Sequence, residues 1–199
     1  GAHGTSHKFV ANRVAEVMGK PVEDLKIVTL HIGNGASLAA VKGGKCVDTS
    51  MGLGPLAGIP MGTRSGTIDP TIVEYISKME NMDIKAILNA LNKKSGYLGV
   101  SGVSNDSRLV EDAAAAGNER AKLALEVQAK SVADYIGSYY VYMEGIDAIV
   151  FTAGIGENNA SFRERVLDRI KVLGVKYDEE LIFSSVKKVS VVLPLGIST

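Results

Sequence analysis

The chain has 199 residues, of which 46% are hydrophobic and 22% charged, with 22 acidic and 22 basic side chains. This composition is ordinary for a soluble globular protein of one large domain or two small ones. A zero net charge argues against a broad nucleic-acid or anionic-membrane surface, because both need an excess of basic residues. No apolar run approaches the length of a membrane span. The single cysteine, Cys46, excludes an internal disulfide, and we expect a cytoplasmic protein with this thiol buried.

The first predicted elements are a helix over residues 7–19 and three strands over residues 27–32, 36–42 and 45–48. The pair Gly43-Gly44 predicts a tight hairpin turn between the second and third strands. Gly33-Asn34-Gly35 predicts a turn between the first two, with bare backbone amides that could face a phosphate. Three antiparallel strands with exposed backbone at one turn therefore predict a phosphate cradle.

The remaining elements predict helices packed against a mixed sheet. Asp69-Pro70 predicts the start of a helix that turns Ile72, Val73 and Ile76 inward. A helix over residues 84–92, a loop over 94–106, a long helix over 119–144, a buried strand over 148–151, a further helix around Phe162 and a last strand over 189–193 follow. The order is βββ-α-α-α-β-α-β.

The segment after the buried strand is the first candidate site, since ligands of open α/β sheets lie beyond the carboxyl ends of the strands. Gly154 and Gly156 remove side chains where a flat ligand could lie, and Asn158 can offer an amide to it. A tight turn with an asparagine N-cap explains the same residues.

Arg64 lies between Gly62 and Gly66 in a predicted loop. It is either a solvated surface charge or, opposite a phosphate cradle, a clamp for a transferring phosphoryl group. No Walker A sequence is present, which excludes a P-loop. The three histidines lack zinc spacing and no cysteine pair is available, so we expect no metal site made by this chain's residues alone.

The order and spacing of five motifs resemble acetate kinases over nearly the whole chain. The motifs are His3-Gly4-Thr5-Ser6-His7, His31-Ile32-Gly33-Asn34-Gly35, Asp48-Thr49-Ser50-Met51-Gly52, Met61-Gly62-Thr63-Arg64-Ser65-Gly66 with Asp69-Pro70, and Phe151-Thr152-Ala153-Gly154-Ile155-Gly156-Glu157-Asn158. The resemblance implies the α/β, ribonuclease H-like lobe of the actin/sugar-kinase/Hsp70 ATPase superfold. It also implies that residues 1–199 are the nucleotide-binding C-terminal lobe, truncated at both ends.

The resemblance further implies reversible transfer of the ATP γ-phosphoryl group to acetate, with ATP/ADP and Mg²⁺ as cofactors. His3 and Arg64 would stabilise the transition state, and Arg64 would also neutralise the acceptor carboxylate. The ATP phosphates would lie on His31, Ile32, Gly33, Asn34 and Gly35, and the adenosine on Asp106, Ser107, Arg108, Gly154, Ile155, Gly156, Glu157 and Asn158.

The family's catalytic Asp, its acetate-binding Arg and its Mg²⁺-associated groups would lie outside this chain. We therefore expect the chain alone to bind nucleotide weakly and not to turn over, and the full-length protein to be a homodimer. Three alternatives stay open: a propionate or butyrate kinase of the same family, a non-catalytic nucleotide-binding module of the Hsp70/actin type, and a mainly structural piece of a homodimer interface. We expect no nucleic-acid or membrane partner.

Overall fold

The computed structural model describes residues 2–176 and 190–194. Within them, six strands form one mixed sheet in the order β3-β2-β1-β4-β6-β5. The strands are β1 (Lys26–Ile32), β2 (Ala36–Lys42), β3 (Lys45–Thr49), β4 (Ala148–Thr152), β5 (Val175–Lys176) and β6 (Ser190–Pro194). β1, β2 and β3 pair antiparallel, as their two glycine-containing turns require, and β4 lies parallel to β1.

The described residues also form eight α-helices: α1 (Gly4–Met18), α2 (Thr71–Glu80), α3 (Ile84–Lys93), α4 (Gly96–Ser101), α5 (Ser107–Ala115), α6 (Glu119–Met143), α7 (Ala153–Asn158) and α8 (Ala160–Ile170). Two short 3₁₀ turns cover Val22–Asp24 and Lys171–Leu173.

Alternate residues of the central strands face two separate apolar layers. On one face Leu30 and Phe151 pack with α6 and α8, and on the other Ile27 and Val150 pack with α1. Because both faces are covered, the central strands are buried nearly throughout. Their carboxyl ends, at Ile32 and Thr152, open at the same edge of the sheet.

The structure confirms the three-strand start, the long helix and the buried strand, and it corrects four predictions. α1 begins at Gly4, earlier than predicted, and the predicted loop over 94–106 contains α4. No residue of α2 is buried, and Ile72 is exposed instead of inward. Cys46 is exposed because β3 is the edge strand of this sheet. Residue 189, the start of the last predicted strand, lies outside the described residues, and β6 begins at Ser190.

Candidate functional site

A cleft of about 790 Å³ opens at the carboxyl ends of β1 and β4. Its walls come from the β1–β2 turn, the start of α5, and the segment from α7 to the start of α8. They consist of Gly33, Asn34, Asn105, Asp106, Ser107, Arg108, Glu111, Asp112, Gly154, Ile155, Asn158, Asn159, Ala160 and Ser161. The structure thus brings both predicted nucleotide-binding segments and the predicted phosphate turn around one cavity of a size typical for small-molecule ligands.

Five of the predicted nucleotide-binding residues do not line this cleft, and neither do the two predicted catalytic residues, His3 and Arg64. Ile32 is fully buried in the core, and Gly156 packs closely over the backbone of Phe151. The other three lie beside the cleft walls. His31 contacts Ser6, Gly35 lies against Arg64, and Glu157 accepts a hydrogen bond from Thr152.

The β1–β2 turn is held in place by a hydrogen bond of its own, by one from the loop that carries Arg64, and by one from Asn105. The Gly33 amide donates to the Gly35 carbonyl over 3.1 Å, and the Gly62 amide donates to the Asn34 carbonyl over 3.1 Å. The side-chain amide of Asn105 donates to Asn34 Oδ1, also over 3.1 Å. Gly62 has no space for a side chain, because a Cβ there would lie 2.1 Å from Asn34 Oδ1. A side chain at residue 62 would therefore displace the Asn34 side chain and break its hydrogen bond with Asn105.

Asp106 connects the cleft to α5 as the N-cap of that helix. Its carboxylate accepts the backbone N–H of Arg108 over 2.9 Å and pairs with the Arg108 guanidinium over 2.6 Å. These hydrogen bonds lower the pKa of Asp106 to about 2. The segment 106–108 thus presents a rigid, charge-paired edge to the cleft.

The turn after β4 is held by Glu157, although Ala153 adopts a left-handed backbone with φ of 67°. Glu157 Oε1 accepts hydrogen bonds from Thr152 Oγ1 and from the Ala153 amide, each over 2.9 Å. Asn159, not Asn158, caps α8 by accepting the Phe162 N–H. Asn158 is therefore free of the capping role that the alternative interpretation gives an asparagine, and it lines the cleft.

Arg163 also holds the turn after β4, by hydrogen bonds from its side chain. Its side chain is almost fully buried and donates to the carbonyls of Gly156 and Glu157 over 3.0 and 2.8 Å. Burial lowers the pKa of this guanidinium. The sequence gives little sign of this role, since an arginine beside apolar helix positions usually reaches for solvent.

Glu111 and Asn159 are cleft residues that the sequence interpretation missed. Glu111 pairs with Arg165 and accepts a hydrogen bond from Asn159. Glu111 belongs to α5, which the apolar spacing did not predict, so its position could not be anticipated.

On the other side of the β1–β2 turn, three histidines form one cluster. The rings of His3 and His31 stack with centroids 4.0 Å apart, and His7 lies edge-on to both. His3 and His7 both contact the Ser37 hydroxyl at 2.8 Å, and His31 contacts Ser6 at 2.9 Å. Burial, with Arg64 nearby, lowers the pKa of His3, and burial between the other two rings lowers the pKa of His7 to about 4.

The guanidinium of Arg64 lies beside Gly35 and His3. A Cβ on Gly35 would lie 3.1 Å from Arg64 Nη1 and 3.9 Å from His3 Cε1. Arg64 Nη1 donates to the Pro55 carbonyl over 3.4 Å, and within residues 2–176 and 190–194 no ion pair neutralises its charge. A cation without a carboxylate partner beside the backbone of the β1–β2 turn is suited to an anion.

In the part of the chain that the structure describes, no three His, Cys, Asp or Glu side chains lie close enough to hold a metal ion. Nor does any helix there have the length and hydropathy of a membrane span.

The sequence profile of the acetokinase family matches residues 1–194. The chain belongs to that family. The acetate kinase of Methanosarcina barkeri is 58% identical over 180 residues, and that of Halothermothrix orenii is 59% identical. Each match covers 90% of this chain, but only 44% and 45% of the respective relative.

Solved structures of the acetokinase type share the fold. A Porphyromonas gingivalis acetate kinase superposes with a TM-score of 0.88 at 44% identity, covering 91% of this chain and 45% of that one. A Francisella tularensis propionate kinase gives 0.86 at 46% identity, covering 92% and 47%. The resemblance to acetate kinases and the predicted α/β fold are both confirmed. This acetokinase-family chain spans less than half the length of the relatives that it matches.

Proposed function

We propose that residues 1–199 form the nucleotide-binding lobe of an acetate kinase, which transfers the ATP γ-phosphoryl group reversibly to acetate. The supporting observation is the position of the β1–β2 turn. Gly33 and Asn34 line the cleft, and Gly35, the next residue, lies against Arg64 and His3. A nucleotide in the cleft would pass its phosphates over this turn toward the Arg64 guanidinium and the His3 ring.

Each predicted segment has a distinct part in this proposal. The adenosine lies beside Ser107 and against the open backbone of Gly154, where a Cβ would meet no atom within 4 Å. The amides of Asn34 and Gly35 bind phosphate oxygens, while the Gly33 amide holds the turn by donating to the Gly35 carbonyl. Ile32 and Gly156 support these walls from the core, and the partly buried Glu157 supports them through its hydrogen bonds to Thr152 and Ala153.

Acetate as the acceptor explains why neither His3 nor Arg64 needs to act as a nucleophile or strong base. A carboxylate acceptor with a pKa near 4 is already ionised at neutral pH. Its oxygen forms a bond to the γ-phosphorus while the bond to the β-phosphate oxygen breaks, and ADP leaves. The chain's contribution is therefore position and positive charge, and Arg64 supplies a planar, permanent cation for the equatorial oxygens.

Mg²⁺, when bound with ATP, neutralises phosphate charge and is held largely by the phosphates and water. The described residues offer no carboxylate cluster for it. The proposal accordingly assigns its protein contacts to segments outside this chain and gives it no step here.

Two alternatives differ in what they require of His3 and Arg64. A propionate kinase needs the same pair and differs only in the acceptor pocket, so acyl chain length must be measured. A regulatory module of the Hsp70/actin type binds nucleotide without an acceptor and has no need for this pair beside the γ-phosphate. The position of Arg64 therefore favours a kinase over such a module.

The deciding experiment removes the Arg64 charge. The completed enzyme is this chain joined to the parts of the Methanosarcina barkeri acetate kinase that its match does not cover. In it, Arg64→Ala should lower kcat by about 10²- to 10³-fold, because it removes one stabilising group from the transition state. ATP binding, measured by calorimetry, should stay close to that of the parent.

Arg13→Ala is the matched control, since Arg13 is an exposed arginine on α1 paired only with Glu16. It should leave both measurements unchanged. Equal losses of ATP binding and kcat in Arg64→Ala would contradict the clamp role. ATP binding without any dependence on acetate would favour the regulatory module.

We further propose that the full-length protein is a cytoplasmic homodimer. Its other partners would be acetate, acetyl phosphate, ATP and the N-terminal lobe of the same protein. The exposed Val141 and Tyr142 at the end of α6 are available to an interface. Light scattering of the completed enzyme tests the dimer, and a monomer at micromolar concentration would contradict it.

A further inference from the structure

We propose that His7 and Ser37 are positioning residues that fix which ring nitrogen of His3 carries a proton, through a one-way chain of hydrogen bonds. The tautomer itself is independent of any assigned activity. Only its consequence for catalysis rests on the proposed function.

The chain of hydrogen bonds starts in the sheet and ends at His3. Thr29 Oγ1 lies 3.5 Å from the Ala39 carbonyl oxygen and 2.7 Å from His7 Nδ1. His7 Nε2 lies 2.8 Å from Ser37 Oγ, which lies 2.8 Å from His3 Nδ1. Thr29, Ser37 and His7 are all buried, so water does not compete for these bonds.

The Ala39 carbonyl sets the proposed direction, because a carbonyl can only accept, even in a contact of 3.5 Å that is long for an O–H···O hydrogen bond. The Thr29 hydroxyl has one proton, and donating it to Ala39 leaves its oxygen to accept the Nδ1–H of His7. Neutral His7 then has a lone pair on Nε2, which accepts the only proton of Ser37. The Ser37 oxygen in turn accepts the Nδ1–H of His3.

His7 can act this way because it carries a single ring proton. Its ring is buried beside the rings of His3 and His31, and both of its nitrogens are hydrogen-bonded to hydroxyl groups. This burial and the neighbouring rings hold its pKa low, at about 4. A doubly protonated His7 would donate at both ends and reverse the Ser37 hydroxyl.

The consequence for His3 concerns its other nitrogen. With Nδ1–H committed to Ser37, Nε2 is the ring nitrogen left for a ligand, and in the neutral ring it is a lone pair. His3 therefore donates from Nε2 only as an imidazolium. Burial of this ring and the nearby Arg64 guanidinium disfavour that charge, whereas a phosphate group would favour it. Under the proposed function, His3 becomes a donor only when phosphate is present.

The first test is the ¹⁵N and ¹³C NMR spectrum of the histidine rings of this chain at about pH 8, where unperturbed imidazoles are neutral. The chain has three histidines, so single substitutions assign each signal. We expect the Nδ1–H tautomer at both His7 and His3. The Nε2–H tautomer at His3 in the unsubstituted chain would overturn the proposal by itself.

Substitution of Thr29 tests the direction of the hydrogen-bond chain at the end farthest from His3. Thr29→Val removes the acceptor of His7 Nδ1–H, so His7 should change to Nε2–H, turn the Ser37 hydroxyl around, and change His3 to Nε2–H. Thr29→Ser keeps the hydroxyl and should keep the original tautomer. Thr49→Val is the matched control, because the Thr49 hydroxyl donates to the Leu38 carbonyl in the same sheet and takes no part in the histidine cluster. An unchanged His3 tautomer in Thr29→Val would overturn the proposal.

Kinetics of the completed enzyme test the catalytic consequence. Ser37→Ala should lower kcat about 10- to 100-fold with little change in the KM for ATP, as expected when a supporting hydrogen bond to a reacting-site group is removed. The fall of kcat on the alkaline side should weaken in Thr29→Val, since its neutral His3 can already donate from Nε2. If the NMR results hold but neither kinetic change appears, the relay stands and the role of His3 in the proposed function fails.

Discussion

Two residues at the candidate site, His3 and Ala153, have left-handed backbones although neither is a glycine. Their φ angles are 59° and 67°. Such conformations cost free energy and persist where surrounding contacts hold them. His3 is held by Ser37 and by stacking on His31, and Ala153 by the carboxylate of Glu157. The strain lies at both sides of the β1–β2 turn, where the proposed ligand would lie.

The lowered pKa of the buried His7 predicts how the stability of the fold depends on pH. Its pKa is about 4 in the folded protein and 6.5 ordinarily, so between these values the unfolded chain binds more protons than the folded one. The free energy of unfolding should therefore have its full value above about pH 6.5. It should fall by an amount on the order of 1 to 3 kcal/mol as the pH falls toward 4.

Urea unfolding at a series of pH values measures this fall. His7→Gln removes the titration while keeping a polar side chain, and its stability should change less over the same range. His3 and His31, whose pKa values are also lowered, act in the same direction, so some slope should remain. An identical slope in His7→Gln and the parent would contradict the assignment to His7.

The helices and strands that were predicted correctly have apolar residues at regular intervals in the sequence. The β1–β2–β3 meander was predictable because its alternating apolar residues and its glycine turns are local signals. The long α6 was predictable because an apolar position recurs at nearly every turn. The phosphate turn and the β4–α7 turn were found for the same reason, since each follows a recognisable strand.

The elements that were missed depend on contacts distant in sequence. α4 has six residues and begins at Gly96, and its stability comes from Tyr97, which bonds to Gln128 of α6. Gln128 also donates to the Pro60 carbonyl over 2.8 Å. No pattern within residues 94–106 reveals these partners. α5 was missed likewise, and with it Glu111 in the cleft.

Gly96 provides a prediction at this scale. It has φ of 60°, and a Cβ there would lie 1.9 Å from the backbone oxygen of Met61. Gly96→Ala should therefore lower the free energy of unfolding by more than the roughly 1 to 2 kcal/mol of a left-handed alanine alone. Thermal unfolding followed by circular dichroism measures the loss.

Gly102, at the other end of α4, is the matched control for Gly96. It also has a positive φ, of 69°, but the nearest atom to its Cβ position is the flexible Arg120 Nη1 at 3.5 Å. Gly102→Ala should lower stability by only roughly 1 to 2 kcal/mol. Equal losses of stability in the two variants would mean that the close approach of Gly96 to Met61 adds no steric cost to an alanine at residue 96.

For the whole molecule, the decisive feature is the unbalanced positive charge of Arg64 at the proposed reaction site. Among the described residues, no carboxylate pairs with Arg64 and no carboxylate cluster could hold Mg²⁺, while the lowered pKa of His3 makes its positive charge depend on a bound phosphate. Phosphoryl transfer needs both the cations and an oriented acceptor. Under the proposed function, the chain would supply the nucleotide cleft and only part of the reaction site.

We therefore predict that the 199-residue chain alone binds ADP and ATP but forms no acetyl phosphate, whereas the completed enzyme does. Calorimetry should show binding to the chain that weakens when Asp106→Ala removes the N-cap of α5, because the cleft edge depends on that carboxylate. A hydroxamate assay measures acetyl phosphate in the presence of acetate, ATP and Mg²⁺. Turnover by the chain alone at the rate of the completed enzyme would show that these residues hold the entire reaction site. Absence of nucleotide binding in both proteins would remove the cleft from the proposal.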